Sequence, residues 1–213
     1  MNKIDDLAKL EQEMAVDESL PLREANLVFG EGDPEQGIMF IGEGPGYHED
    51  KQGRPFVGRA GQLLDILIRD AHWKREGVYI TNIIKHRPPN NRDPLPNEIE
   101  AYKPYLTRQI KIIDPKVIAP LGRFAMNYFI PDAKISKDRG KIFWLNDTIV
   151  MPLYHPAAAL RSTQVKKDLE LDFKKLEQVV ERYDEFVEEH RKKRAEQKNV
   201  SLTNSEKTEQ PLL

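Results

Sequence analysis

Four short apolar runs punctuate the chain, at Gly37–Gly42, Val78–Ile84, Lys116–Gly122 and Thr148–Tyr154. Continuous runs of this length suit strands buried on both faces of a parallel sheet. Between them the apolar positions change to helical spacing. Ala60 to His72 carries Leu63, Leu64, Leu67 and Ile68, and Pro96 to Ile113 carries Ile99, Tyr102, Leu106, Ile110 and Ile113. A shorter helix is predicted over Phe124–Phe129, and an amphipathic opening helix over residues 3–15 from Ile4, Leu7, Leu10 and Met14. Asp17 to Gly37 reads as a long irregular connection. Strand–helix alternation predicts an α/β fold, a parallel sheet with helices on both faces. Ligand sites in that architecture lie beyond the carboxyl ends of the strands.

From Val165 to about Arg194 the pattern predicts one long charged helix with a stripe of Leu169, Phe173, Leu176, Val179 or Val180, Tyr183 and Val187. Its second half is nearly all charge, and beyond Asn199 the composition is that of a disordered segment. The expected organisation is one domain over residues 1–190 and a charged, disordered tail over 191–213. A length of 213 residues accommodates that arrangement and is short for two domains.

Composition narrows the chemistry. The chain has no cysteine, which excludes a disulfide scaffold, a thiolate nucleophile and a thiolate-bound metal. The first ten residues include Lys3, Asp5, Asp6 and Lys9, unlike a signal peptide, and no apolar stretch approaches the ~20 residues that span a bilayer. A soluble, cytoplasmic protein with no membrane partner is expected. The net charge of −2 excludes a generally basic nucleic-acid binder but leaves room for a local basic groove.

Candidate chemistry clusters after the apolar runs. Gly42-Glu-Gly-Pro-Gly46, followed by the glycines between Gly53 and Gly61, permits tight turns and close backbone approach to a ligand. An ordinary glycine-rich strand-to-helix loop is the alternative. Asn82 is polar inside an apolar strand and must be hydrogen-bonded. Its amide sets an acceptor beside a donor, matching the imide edge of a pyrimidine, although capping of local backbone would also satisfy it. The basic loop Lys85–Arg92 offers phosphate contacts or a merely solvated surface. His155, before a proline that starts a helix, stands at the mouth of such a site, as a ligand-facing or a structural residue. Gly122-Arg-Phe reads as a helix start.

Taken in order, the segments 42–46, 49–64, 81–94, 121–125 and 154–158 resemble the family 4 uracil-DNA glycosylases over roughly residues 5–180. The resemblance implies a three-layer α/β/α sandwich around a four-stranded parallel sheet, and hydrolysis of the bond between uracil and deoxyribose in DNA. A base inside a duplex is inaccessible, so the nucleotide is flipped into a pocket. It further implies that Phe56 stacks on uracil, Asn82 reads N3 and O4, His155 donates to O2, and the Gly42–Gly46 loop with Gly44 assists. Glu43 and Glu49 are the candidates for water positioning or stabilisation of the sugar cation. Lys85, Arg87, Leu160 and Arg161 are the expected DNA contacts, Leu160 and Arg161 being equally at home on an ordinary helix face.

One departure is large. Members of that family hold a four-iron cluster with four cysteines, and the corresponding positions here are Asp17, Leu20, His86 and Tyr102. Two ligands of different hardness do not make a cluster site, so no cofactor is expected and packing is expected to replace the staple. Alternatives are a catalytically idle DNA-binding relative and a glycosylase for another damaged base. Uracil-containing DNA, single- or double-stranded, is the expected partner. The terminal Gln210-Pro-Leu-Leu213 faintly resembles sliding-clamp ligands, with a nondescript end as the alternative.

Overall fold

The structure is a computed structural model that describes residues 2–208, with side chains described for 2–197. The four apolar runs form strands β1 (Ile38–Gly42), β2 (Tyr79–Asn82), β3 (Val117–Pro120) and β5 (Thr148–Val150), parallel to one another. A fifth strand, β4 (Phe143–Leu145), pairs antiparallel with β5, so the sheet order is β2-β1-β3-β5-β4. Three residues are too few to show a period, which is why β4 adds a strand to the four that were expected. Its turn is nonetheless written in the sequence, since Asn146 takes the left-handed conformation (φ 56°) that asparagine tolerates.

Side chains alternate across β1 and so define the two outer layers. Met39 and Ile41 pack with Leu7, Leu10 and Met14 of α1 (Lys3–Val16), and with Tyr102, Leu106 and Ile113 of α4 (Pro96–Ile113). On the opposite face Phe40 stacks on Phe173 of α8 (Thr163–Glu181), with ring centroids 5.7 Å apart, and meets Trp73. The short α2 (Tyr47–Gln52) follows β1, and α3 (Arg59–Asp70) turns Leu63, Leu64, Leu67 and Ile68 inward, as their spacing predicts. The helices α5 (Arg123–Phe129), α6 (Ile135–Asp138) and α7 (Pro156–Ala159) complete the layers.

The chain divides into two compact units, Met1–Glu177 and Gln178–Leu213. The long helix expected from residue 165 is interrupted at Arg182 and continues as α9 (Tyr183–Thr208). In its described part the segment expected to be an irregular tail is therefore helical. Lysines 192 and 193 pair with Glu188 and Glu189 one turn earlier, the arrangement that supports an exposed helix without burial. The sliding-clamp expectation falls on residues 209–213, outside the described residues. Among the described residues no helix is long and apolar enough to cross a membrane.

Candidate functional site

Because β1 lies between β2 and β3, the connections leaving the sheet diverge at its carboxyl end, the place where open α/β sheets bind ligands. There the chain gathers Gly42 at the end of β1, Asn82 at the end of β2, Gly122 after β3 and His155 after β5. Asn82, Gly122 and His155 line a cavity of about 540 Å³, with Glu43, Phe56, Asp93 and Arg123 also in its wall, while Gly42 lies behind Asn82 and Phe56.

Asn82 is 1% exposed, and its Oδ1 accepts no hydrogen bond among the described residues. A buried amide oxygen without a donor costs about 1–3 kcal/mol unless something else satisfies it. The amide is held by close approach. A methyl group at Gly42 would lie 2.4 Å from Asn82 Oδ1 and 2.5 Å from Phe56 Cζ, so only glycine lets both side chains close over the strand end.

Phe56 is buried in a left-handed conformation (φ 51°) that phenylalanine adopts only where its surroundings impose it. Two devices impose it. The Glu49 Oε1 accepts from the amides of Val57 (2.9 Å) and Gly58 (2.8 Å), and Gly61 of α3 lets the helix press against the Phe56 carbonyl. The Phe56 ring lies 5.6 Å from the His155 ring, centroid to centroid, at 29°.

His155 caps α7, its Nδ1 accepting from the Ala157 amide at 3.1 Å. An acceptor at Nδ1 places the ring proton on Nε2, leaving an N–H donor free for the cavity. Burial and the nearby Arg161 push the imidazole pKa down to about 4, so this donor is neutral at physiological pH. Gly122, with φ 87°, makes room for it, since a methyl there would lie 2.9 Å from His155 Cβ. Across the cavity, burial, reinforced by Asp93 and opposed by Arg123, pushes Glu43 up to about 7. Asp93 and Arg123 are themselves paired at 3.2 Å.

The structure thus brings Glu43, Gly44, Glu49, Phe56, Asn82, His155 and Arg161 to one cavity. It corrects one expectation, for Lys85, and adds contacts to two others, Arg87 and Glu49. Lys85 cannot contact DNA: it is fully buried, and its Nζ donates to Gln109 Oε1 (2.6 Å) and to Thr81 Oγ1. The loop after β2 folds back, with the Val28 amide bonded to the Lys85 carbonyl, and burial holds the amine well below its usual pKa. Arg87 is only half free for DNA, because it donates to Asn91 (2.6 Å), lies 3.8 Å from Asp50 and covers the Tyr47 ring. Glu49 has one oxygen committed to backbone amides, which makes it a clasp for the Phe56 loop. Leu160 and Arg161 lie at the end of α7, Leu160 43% exposed.

Sequence reasoning missed Asp93, Arg123 and Ile84. No periodicity marks the first two, which meet from the loop after β2 and the first turn of α5. Ile84 could have been found from Gly44, since a methyl at Gly44 would fall 2.8 Å from Ile84 Cγ1.

The four positions matching cluster cysteines do not fit an iron–sulfur group. Leu20 is apolar and buried, and the Tyr102 hydroxyl is already engaged, donating to the Pro21 carbonyl (2.5 Å) while the His86 Nδ1 lies 2.6 Å away. Asp17 accepts from Ser19 and from the Tyr105 hydroxyl (2.6 Å). These contacts tie the loop after α1, the loop after β2 and α4 together. Tyr102→Phe is therefore expected to lower stability by about 1 kcal/mol, read by chemical denaturation, because the part-buried Pro21 carbonyl loses its donor and His86 its partner.

A family profile described as the uracil DNA glycosylase superfamily matches residues 29–181. A type-4 uracil-DNA glycosylase of Sulfurisphaera tokodaii is 46% identical over 188 residues, covering 83% of this chain and 86% of that protein. Similar proteins of the same description occur in Thermotoga maritima, 50% identical over 146 residues (67% of this chain, 76% of that protein). Another, in Saccharolobus solfataricus, is 48% identical over 165 residues, covering 73% of this chain and 76% of that protein.

Proposed function

The chain belongs to the uracil DNA glycosylase superfamily, and from that membership we propose how it releases uracil from DNA without an iron–sulfur cluster. The reaction hydrolyses the bond between uracil N1 and deoxyribose C1′ and leaves an abasic site. The observation that carries the assignment of the pocket is the buried, unpartnered Oδ1 of Asn82. Uracil N3–H supplies the donor it lacks, and the Asn82 amide N–H meets uracil O4. Cytosine presents an acceptor at N3 and a donor at its 4-position, which leaves both halves of the amide mispaired.

When the N1–C1′ bond breaks, its electron pair stays with uracil and spreads onto O2. The His155 Nε2–H donates there, to charge that is absent from the bound substrate and develops as the bond breaks. A water adds to C1′ and gives its proton to the Glu43 carboxylate. Phe56 forms the apolar wall against which the base lies. Leu160 and Arg161 meet the DNA. The His86–Tyr102–Pro21 contacts take the place of the cluster as a purely structural tie.

The test is an oligonucleotide carrying one uracil beside matched ones carrying cytosine, thymine or hypoxanthine, with abasic sites revealed by alkali. Cleavage at uracil alone is expected. Comparable cleavage at hypoxanthine, or none with DNA binding retained, would replace this reading with another specificity or an idle relative.

Glu43 also sets a pH dependence. Its carboxylate is the working form, so the single-turnover rate is expected to rise with pH through about 7 and then level off. His155, neutral above about 4, contributes no step in that range. Stability runs the other way. A carboxyl whose pKa is raised by folding stabilises the fold below its unfolded value of 4.5, and that contribution is lost as pH climbs through about 7. Glu43→Gln is expected to flatten both curves, as a rate profile and a series of melting curves would show.

A further inference from the structure

A second groove of about 560 Å³ opens beside the catalytic cavity, between the Arg59–Ile66 stretch of α3, the end of α7 and the first turn of α8. Three cations line it, Arg59, Arg161 and Lys166, and no carboxylate does, in a chain whose net charge is −2. Arg59 and Arg161 have no carboxylate partner among the described residues, and Lys166 reaches only the exposed Glu170, at 3.8 Å. Two large apolar side chains stand exposed along the same groove, Leu160 and Ile66, each 43% accessible. Arg161 lines both cavities, so the groove adjoins the pocket at that residue.

Unpaired cations call for phosphates, and exposed apolar side chains call for the face of an unstacked base. A single DNA strand offers both at once, whereas a duplex keeps its base faces covered. We propose that this groove seats the single-stranded stretch adjoining the flipped nucleotide, with its phosphates on Arg59, Arg161 and Lys166 and a neighbouring base against Leu160 and Ile66. The proposal rests on the reading of DNA as substrate and adds the path of the strand.

The experiment measures binding of a single-stranded oligonucleotide carrying a tetrahydrofuran abasic analogue over a range of salt concentrations. Both test residues are exposed, and melting curves would establish that the variants fold. Removing two phosphate contacts with Arg59→Gln and Lys166→Gln should reduce the slope of log affinity against log salt by about 1.4, and weaken binding about tenfold. Leu160→Ser should weaken binding without changing the slope. Lys111→Gln, at the end of α4 far along the chain from the groove, should change neither.

An unaltered slope in the double variant overturns the proposal. So does binding to phosphatidylglycerol vesicles that the double variant loses while its DNA binding stays intact. Uracil release by the unaltered chain, measured separately, decides the glycosylase reading. Release with an unchanged slope removes the groove alone, and a reduced slope without release removes the enzyme alone.

Discussion

Asn82→Ala should lower uracil release by about two to three orders of magnitude in kcat/KM while leaving the melting temperature unchanged or slightly higher. The two halves of that expectation come from one observation. A buried side-chain amide usually stabilises a fold through the bonds it makes, and its removal strands the partners. Here Oδ1 has no partner to strand among the described residues, so the folded protein bears an unsatisfied acceptor that alanine removes. The loss then falls wholly on the bound state, where both pairing contacts to the base disappear. Kinetics on a uracil oligonucleotide and a thermal melt of the same sample check it. A melting temperature lowered by several degrees would make Asn82 a structural residue and return the pocket to question.

Gly61→Ala should destabilise the protein by about 3 kcal/mol and abolish most activity. Within a helix this substitution ordinarily adds about 1 kcal/mol of stability, because alanine is the better helix former. The sign reverses because the new methyl would sit 1.8 Å from the Phe56 carbonyl oxygen and 2.1 Å from its carbon. Both are backbone atoms, so no rotamer change relieves the clash. Either α3 or the Phe56 loop must move, and that loop already holds Phe56 at φ 51° through the Glu49 clasp. Gly58→Ala is the informative comparison. Its methyl would approach a side-chain atom, Glu49 Oε1, at 3.2 Å, so a much smaller loss is expected from denaturant unfolding. Equal stability of Gly61→Ala and the parent would mean that the packing of α3 on Phe56 is looser than described.

The strands and the site they frame were legible because burial writes itself into runs of apolar residues. Ile38–Gly42 is buried at every position, and Asn82 at the end of β2, Gly122 after β3 and His155 after β5 are among the residues that line the cavity. Asn82 stood out as a polar group in an apolar strand, and the structure leaves its oxygen unpaired. What could not be read were properties of meeting rather than of segments. Lys85 looks like a surface cation in sequence, and only the placement of Thr81 and Gln109 around it reveals an interior amine. Glu49 carries the same carboxylate as Glu43, yet one clasps backbone amides while the other is left facing Asp93 with a raised pKa. The His86–Tyr102 contact joins residues from a loop and a helix, and neither announces the other. That neither position holds a cysteine is plain from the residues alone, whereas the bond between them exists only through tertiary packing.

The most direct measurement of the whole account is single-turnover uracil release by protein purified through a chelator, with iron and sulfide determined in the same sample. We expect uracil-specific release at full rate from protein that contains neither. Release that rises and falls with iron content, or a folded protein that binds DNA and releases no base, would contradict it.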